Sequence, residues 1–137
     1  MSKKPFVIFG VFVVILAVVI PLLAFGSRGD SQKGSRSVPS DLSKGKSLFV
    51  TNCGTCHTLY AAGTDGNFAP DLDTLLAPSG PPSGSTAKQT IEATKSRVLN
   101  AINNGVDSST PGRMPGGIIS GAQADEVATF VATEAGK

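Results

Sequence analysis

The sequence predicts a small all-α domain of three to four helices, preceded by a single apolar N-terminal helix. Three observations lead there. Three stretches beyond residue 40 repeat apolar residues at helical spacing, no β-branched strand runs flank the middle of the chain, and an apolar block occupies most of the first 25 residues. A chain of 137 residues leaves room for one small domain besides that block. With 6% aromatic residues and no Trp, the core that the protein alone can build is thin, so something else is expected to help fill it.

The organisation reads in four parts: a short cytoplasmic N-terminus over 1–5, a transmembrane anchor over 6–25, a flexible linker over 26–39 and a folded domain over 40–137. Residues 6–25, FVIFGVFVVILAVVIPLLAF, carry no charge, and as a helix they span roughly 30 Å, the thickness of a bilayer's hydrocarbon core. The rival reading is a cleavable export signal, with a basic start at Lys3 and Lys4 and a small-x-small site at Ala24 and Gly26. Signal cores are usually shorter, and either reading exports the C-terminal domain. Residues 26–39, GSRGDSQKGSRSVP, are rich in Gly, Ser and charge; such a linker typically spans roughly 20 Å and stretches to about 48 Å.

Charge is unevenly spread. Residues 1–40 hold five Lys/Arg against one acid, and residues 41–137 hold seven against nine. A basic excess that flanks an apolar span, rather than the folded domain, argues against a nucleic-acid partner.

The first helix is expected to start with Ser40 or Asp41 as cap, to place Leu42, Gly45 and Phe49 on one face and to run into Cys53. A second follows a Thr86-x-x-Gln89 capping box, carries Ile91, Val98, Leu99 and Ile102, and ends at Asn103, Asn104 and Gly105. The last has a Ser120-x-x-Gln123 box, acids Asp125 and Glu126 in its first turn, an apolar face of Val127, Phe130 and Val131, and Gly136 as terminator. Residues 60–67 and the Pro/Gly/Ser-rich run 77–85 are expected to be irregular loop.

Between the first two helices, Cys53-Gly-Thr-Cys56-His57 forms C-x-x-C-H, the spacing for covalent attachment of a c-type haem. Residues three apart share a face of a helical turn, so two thiols can add to the two vinyl groups on one porphyrin edge while the imidazole reaches the iron. A zinc site needs four ligands, and the chain offers two Cys and one His. A thioredoxin-type pair needs a strand-to-helix setting that the flanking sequence lacks. Haem attachment of this kind takes place outside the cytoplasmic membrane, which places the N-terminus in the cytoplasm.

His57 is the sole histidine, so the sixth iron ligand must be another residue type. Met1 lies beyond the span, leaving Met114, in Pro111-Gly-Arg-Met-Pro-Gly-Gly117, as the available thioether. Pro and Gly on both sides suit an extended loop laid across a ring face; the alternative is a Met that only fills core.

In order, Gly45-x-x-Leu48-Phe49, Cys53 to His57, Pro70-x-Leu72, Met114 in a Gly-Arg-Met-Pro loop, and a C-terminal helix with Phe130 resemble the class I cytochrome c family over roughly residues 41–137. The resemblance implies one covalent haem c on Cys53 and Cys56, with His57 and Met114 as axial ligands. It also implies that the Pro70 carbonyl accepts a hydrogen bond from His57, and that the first and last helices cross near Gly45 and Phe130. Taken alone, Ala69-Pro70-Asp71 also reads as an ordinary turn, the lesser of the two readings. Phe130 stands where the family often has Tyr or Trp, and the span and the linker depart from a soluble member.

The function expected is single-electron transfer between respiratory or photosynthetic membrane complexes, with no catalysis and no small-molecule substrate. The partners would be the lipid bilayer and redox proteins such as a quinol–cytochrome c oxidoreductase and a terminal oxidase. The haem domain would face the extracytoplasmic side of a single-pass membrane protein. Two rivals are a permanent haem subunit of such a complex, and a haem enzyme or gas sensor whose Met114 dissociates. Lys44, Lys46, Lys88, Lys95, Arg97 and Arg113 are candidates for a docking surface; singly, each also reads as an ordinary solvated charge.

Overall fold

A computed structural model describes residues 13–20, 37–107 and 112–137. The chain divides into two units, residues 1–33 and 34–137. In the first, residues 13–20 are helical and exposed. The remainder of the expected anchor at 6–25, and the linker up to residue 36, lie outside the described residues. Among the described residues, no helix is long and apolar enough to cross a membrane.

The second unit is mostly helical. Helix α1 covers Ser43–Asn52, α2 Leu72–Leu76, α3 Ala87–Asn104 and α4 Gly121–Glu134. Between α1 and α2 lies a hairpin the sequence did not suggest, in which β1 (Thr58–Leu59) pairs antiparallel with β2 (Thr64–Asp65). Gly63, in the left-handed region at φ 71°, closes the turn that joins them. Strands of two residues are too short for the period-2 signal that marks a strand in sequence.

Helix α4 is the centre of the packing, and both α1 and α3 lie against it. Its buried residues, Ala124, Val127, Ala128, Phe130, Val131 and Ala132, reach round most of its circumference, and the alanines leave room for two neighbours. At the α1/α4 crossing a Cβ on Gly45 would stand 2.8 Å from the Cβ of Phe130, so only glycine permits the approach. Beside it the rings of Phe49 and Phe130 meet with centroids 6.0 Å apart and a tilt of 59°, a favourable aromatic geometry. Glu134 is buried at the end of α4, where Lys137 Nζ answers its carboxylate at 2.8 Å.

The helix starts lie close to where the sequence places them, but the expected side-chain capping bonds do not form. Neither Ser40 nor Asp41 caps α1 with its side chain. A 3₁₀ turn over Ser40–Leu42 leads in instead, with the Leu42 N–H donating to the Pro39 carbonyl at 3.0 Å and the Ser43 hydroxyl to the Ser40 carbonyl at 2.7 Å. Thr86 likewise ends a 3₁₀ turn over Gly84–Thr86 and is itself helical, so its hydroxyl is not placed to cap α3. Ser120 has the extended backbone of a cap residue without a side-chain bond. The C-terminal signals hold: Gly105 (φ 75°) follows α3, and Gly136 (φ 81°) lies two residues past α4.

Candidate haem site

Helix α1 ends one residue before Cys53, and the motif that follows continues the chain as a tight turn. The Cys53 N–H donates to the Phe49 carbonyl at 2.8 Å, and the N–H groups of Cys56 and His57 both donate to the Cys53 carbonyl, at 3.1 and 2.9 Å. This closed turn brings both thiols and the imidazole onto the wall of a single cavity. Gly54 and Gly66 permit it. A Cβ on Gly54 would meet Thr64 Cγ2 at 2.6 Å, and one on Gly66 would lie 2.6 Å from the Cys56 carbonyl carbon. The hairpin is thus folded tightly beneath the turn, and the Thr64 hydroxyl donates to the His57 carbonyl at 3.0 Å.

The imidazole is oriented by Pro70. Nδ1 of His57 stands 2.8 Å from the Pro70 carbonyl oxygen, which can only accept, so Nδ1 carries the proton and Nε2 keeps its lone pair free. Ala69 supports the arrangement from the adjacent residue, its N–H donating to the Cys56 carbonyl at 3.0 Å. Asp71 then caps α2, its carboxylate accepting from the Asp73 N–H at 2.9 Å and the Thr74 hydroxyl at 2.9 Å.

Met114 comes to the same cavity from the far end of α3. Its N–H and carbonyl exchange hydrogen bonds with Val106, both 3.0 Å, and the Gly117 N–H donates to the Ile102 carbonyl at 2.7 Å. Gly105 makes the close packing possible, since a Cβ there would lie 2.8 Å from the Gly116 nitrogen. The expected extended loop around Met114 is therefore fastened to the C-terminus of α3. Residues 108–111 of it, with Pro111, lie outside the described residues.

The cavity holds about 700 Å³, within the range of roughly 300–1,000 Å³ usual for cofactor sites. Phe49, Leu72, Val98, Ile102 and Val127 contribute apolar wall, with Phe68 at 71% exposure on the rim. Its volume, its apolar lining and the convergence of two thiols, an imidazole and a thioether fit a haem. Burial pushes the Cys53 thiol up to about 11, and the neighbouring Cys56 adds to the rise.

Of the cations considered for docking, Lys44 pairs with Glu126 at 2.7 Å, Lys95 with Asp125 at 2.8 Å and Arg113 with Asp107 at 3.0 Å. Lys88 and Arg97 make no ion pair among the described residues, and Arg97 lines the cavity. Sequence reasoning missed Asp73, whose two oxygens accept from the main-chain N–H groups of Tyr60 and Gly136, both at 2.8 Å. Its partners are backbone groups far away in sequence, which no motif announces.

A model of the cytochrome c family matches residues 42–134. A search of curated proteins finds no match. Cys53 and Cys56 stand at the spacing by which that family binds haem c covalently. The matched segment takes in every helix and loop just described around the cavity, and on that ground the chain belongs to the cytochrome c family and carries haem c for electron transfer.

Proposed function

We propose that this chain is a one-electron carrier, not an enzyme, with His57 and Met114 as the axial ligands of its haem iron. The observation that carries the reading is that the one histidine of the sequence and the only methionine of the folded domain line the same cavity as Cys53 and Cys56. When bound, haem c held by Met and His supplies a ferric/ferrous couple of raised potential with no open coordination position. The apolar walls lower the local dielectric around that couple and favour the less charged, reduced state. Pro70 holds the imidazole in the tautomer that leaves Nε2 free, so the His57 ligand is preoriented before the haem arrives.

In this reading the haem edge beside Cys56, which is exposed, is where partners approach. The apolar block at 6–25 tethers the domain to the membrane with the haem domain on its extracytoplasmic face. The partners are redox proteins such as a quinol–cytochrome c oxidoreductase and a terminal oxidase. Support for the tether comes from the sequence, and support for the outward face from the haem-attachment chemistry, which belongs to that compartment.

The test is the visible spectrum of the purified full-length protein, oxidised and reduced, with and without carbon monoxide, beside Met114→Ala. A far-red sulfur-to-iron band that vanishes in the variant, together with a wild type indifferent to carbon monoxide, is the expected result. Carbon monoxide binding by the native ferrous protein would overturn the closed-iron carrier.

A further inference from the structure

Three hydrogen bonds tie the segment after the thiols to the segment that leads into α2, and each joins residues thirteen apart. The Ala69 N–H donates to the Cys56 carbonyl at 3.0 Å, His57 Nδ1–H to the Pro70 carbonyl at 2.8 Å, and the Tyr60 N–H to Asp73 Oδ2 at 2.8 Å. The imidazole is the middle rung. The rung on one side is main chain at both ends, so no side-chain replacement short of proline at residue 69 removes its groups. The rung on the other side depends on a single carboxylate.

Asp73 also reaches a third segment, because its Oδ1 accepts the Gly136 N–H at 2.8 Å beyond the end of α4. Helix α2 has five residues, far too few to hold its own shape or direction. Its position, and with it that of the Pro70 carbonyl two residues before its start, is therefore set by what pins it. Asp71 closes the helix on itself and Leu72 and Leu76 pack it on the core, whereas Asp73 is the side chain that hydrogen-bonds it to the His57 segment and to the C-terminal segment.

We infer that Asp73 is a positioning residue for the imidazole. Its carboxylate pins α2 between Tyr60 and Gly136, keeps the Pro70 carbonyl on His57 Nδ1–H, and thereby sets how strongly His57 donates electrons to the bound iron. The inference rests on His57 being an axial ligand. A firm Nδ1–H···O=C bond raises the basicity of a ligating imidazole and favours the ferric state; a loosened one lets the reduction potential climb.

The experiment uses full-length holoprotein: wild type, Asp73→Ala, Asp73→Asn and Thr74→Ala. Two readouts are taken, the solvent exchange of the His57 Nδ1 proton by NMR and the midpoint potential. In Asp73→Ala the proton is expected to exchange about tenfold faster or more, as loss of a charge-assisted bond implies, with the potential raised and the haem still covalently attached. Asp73→Asn keeps one acceptor oxygen for two donors and is expected to fall between; it carries the test alone if Asp73→Ala does not accumulate. Thr74→Ala removes the Thr74 bond to Asp71 within α2 and touches neither Asp73 bond, so its exchange should stay at the wild-type rate.

Exchange in Thr74→Ala as fast as in Asp73→Ala would mean that any loosening of α2 suffices, and would overturn the assignment. A raised potential in Asp73→Asn with unchanged exchange would assign the effect to charge alone and overturn it too. If the wild type shows no iron-bound His57 resonance, the ligation reading itself falls; if it does, and neither Asp73 variant alters exchange, only the role of Asp73 falls.

Discussion

The His57 side and the Met114 side of the cavity are fastened by different means. On the first, the main-chain N–H, the carbonyl and the ring nitrogen of His57 each have a partner, in Cys53, Thr64 and Pro70, and the surrounding turn excludes any Cβ at Gly54 and Gly66. On the second, the hydrogen bonds of Met114 among the described residues are its backbone exchange with Val106, and its side chain is held by packing against the core. The nearby Arg113–Asp107 pair has side chains 75% and 85% exposed, where an ion pair contributes little. The histidine is built into a cross-linked turn, and the thioether rides on a loop pinned at its two ends. In the proposed ligation, the sulfur is therefore the contact that strain should release first.

The strongest way to break that contrast is to crowd each side in turn. In Gly66→Ala the new Cβ meets only backbone, the Cys56 and Thr55 carbonyl carbons at 2.6 and 2.7 Å and the Gly54 carbonyl oxygen at 2.7 Å. We expect a loss of about 3 kcal/mol or more by denaturant unfolding, with little haem incorporated. Gly105→Ala places a side chain at φ 75° and against the Gly116 nitrogen, for an expected loss of about 2 kcal/mol. Here the far-red sulfur-to-iron band should fade at lower denaturant than the helical signal. If the band of Gly105→Ala survives until the helices unfold, the Met114 loop is as firmly held as the His57 turn and the contrast is wrong.

The same contrast decides what could be read from the sequence. That Cys53, Cys56, His57 and Met114 would meet at one cavity was legible because haem chemistry restricts residue types and the chain has no second His and no other Met in the folded domain. Helices α3 and α4 were legible from periodicity over 18 and 14 residues, and their ends from Gly105 and Gly136. What escaped is the cross-linking behind His57. The hairpin Thr58–Asp65 and the five-residue α2 are too short for any period to register, and Asp73 bonds Tyr60 and Gly136 across distances that sequence does not mark. One signal was available, since Asp71 with Thr74 three residues on is a helix start. The capping box at Thr86 misled in the opposite direction, because a 3₁₀ turn before α3 makes Thr86 part of the helical run rather than its flank, whereas Ser120 flanks α4 as expected but makes no side-chain bond.

A smaller effect separates the two thiols. Burial, with Cys56 close by, holds the Cys53 thiol up at about 11, so at pH 8 it is almost wholly protonated and unreactive. In reduced, haem-free protein, iodoacetamide is expected to modify exposed Cys56 first, with Cys53 catching up as the pH approaches 11. Peptide mapping of partially alkylated protein reads this directly. Equal rates at pH 8 would mean that the turn around Cys53 opens without haem, and that the cross-linking on this side depends on the cofactor.

The smallest effect sharpens the contrast most. Pro70 takes part in the imidazole bond through its carbonyl, which every residue possesses, so the ring of the proline is not what holds His57. Pro70→Ala keeps the acceptor and loses only the restriction on φ, a cost of about 1 kcal/mol or less borne mainly by the unfolded chain. Its spectrum and its Nδ1 proton exchange should match the wild type, while thermal unfolding shifts slightly downward. If exchange accelerates instead, the fixed backbone of Pro70 is itself part of the restraint. The His57 side would then owe its rigidity to local chain stiffness as well as to the hydrogen bonds that Ala69 and Asp73 make on either side of it.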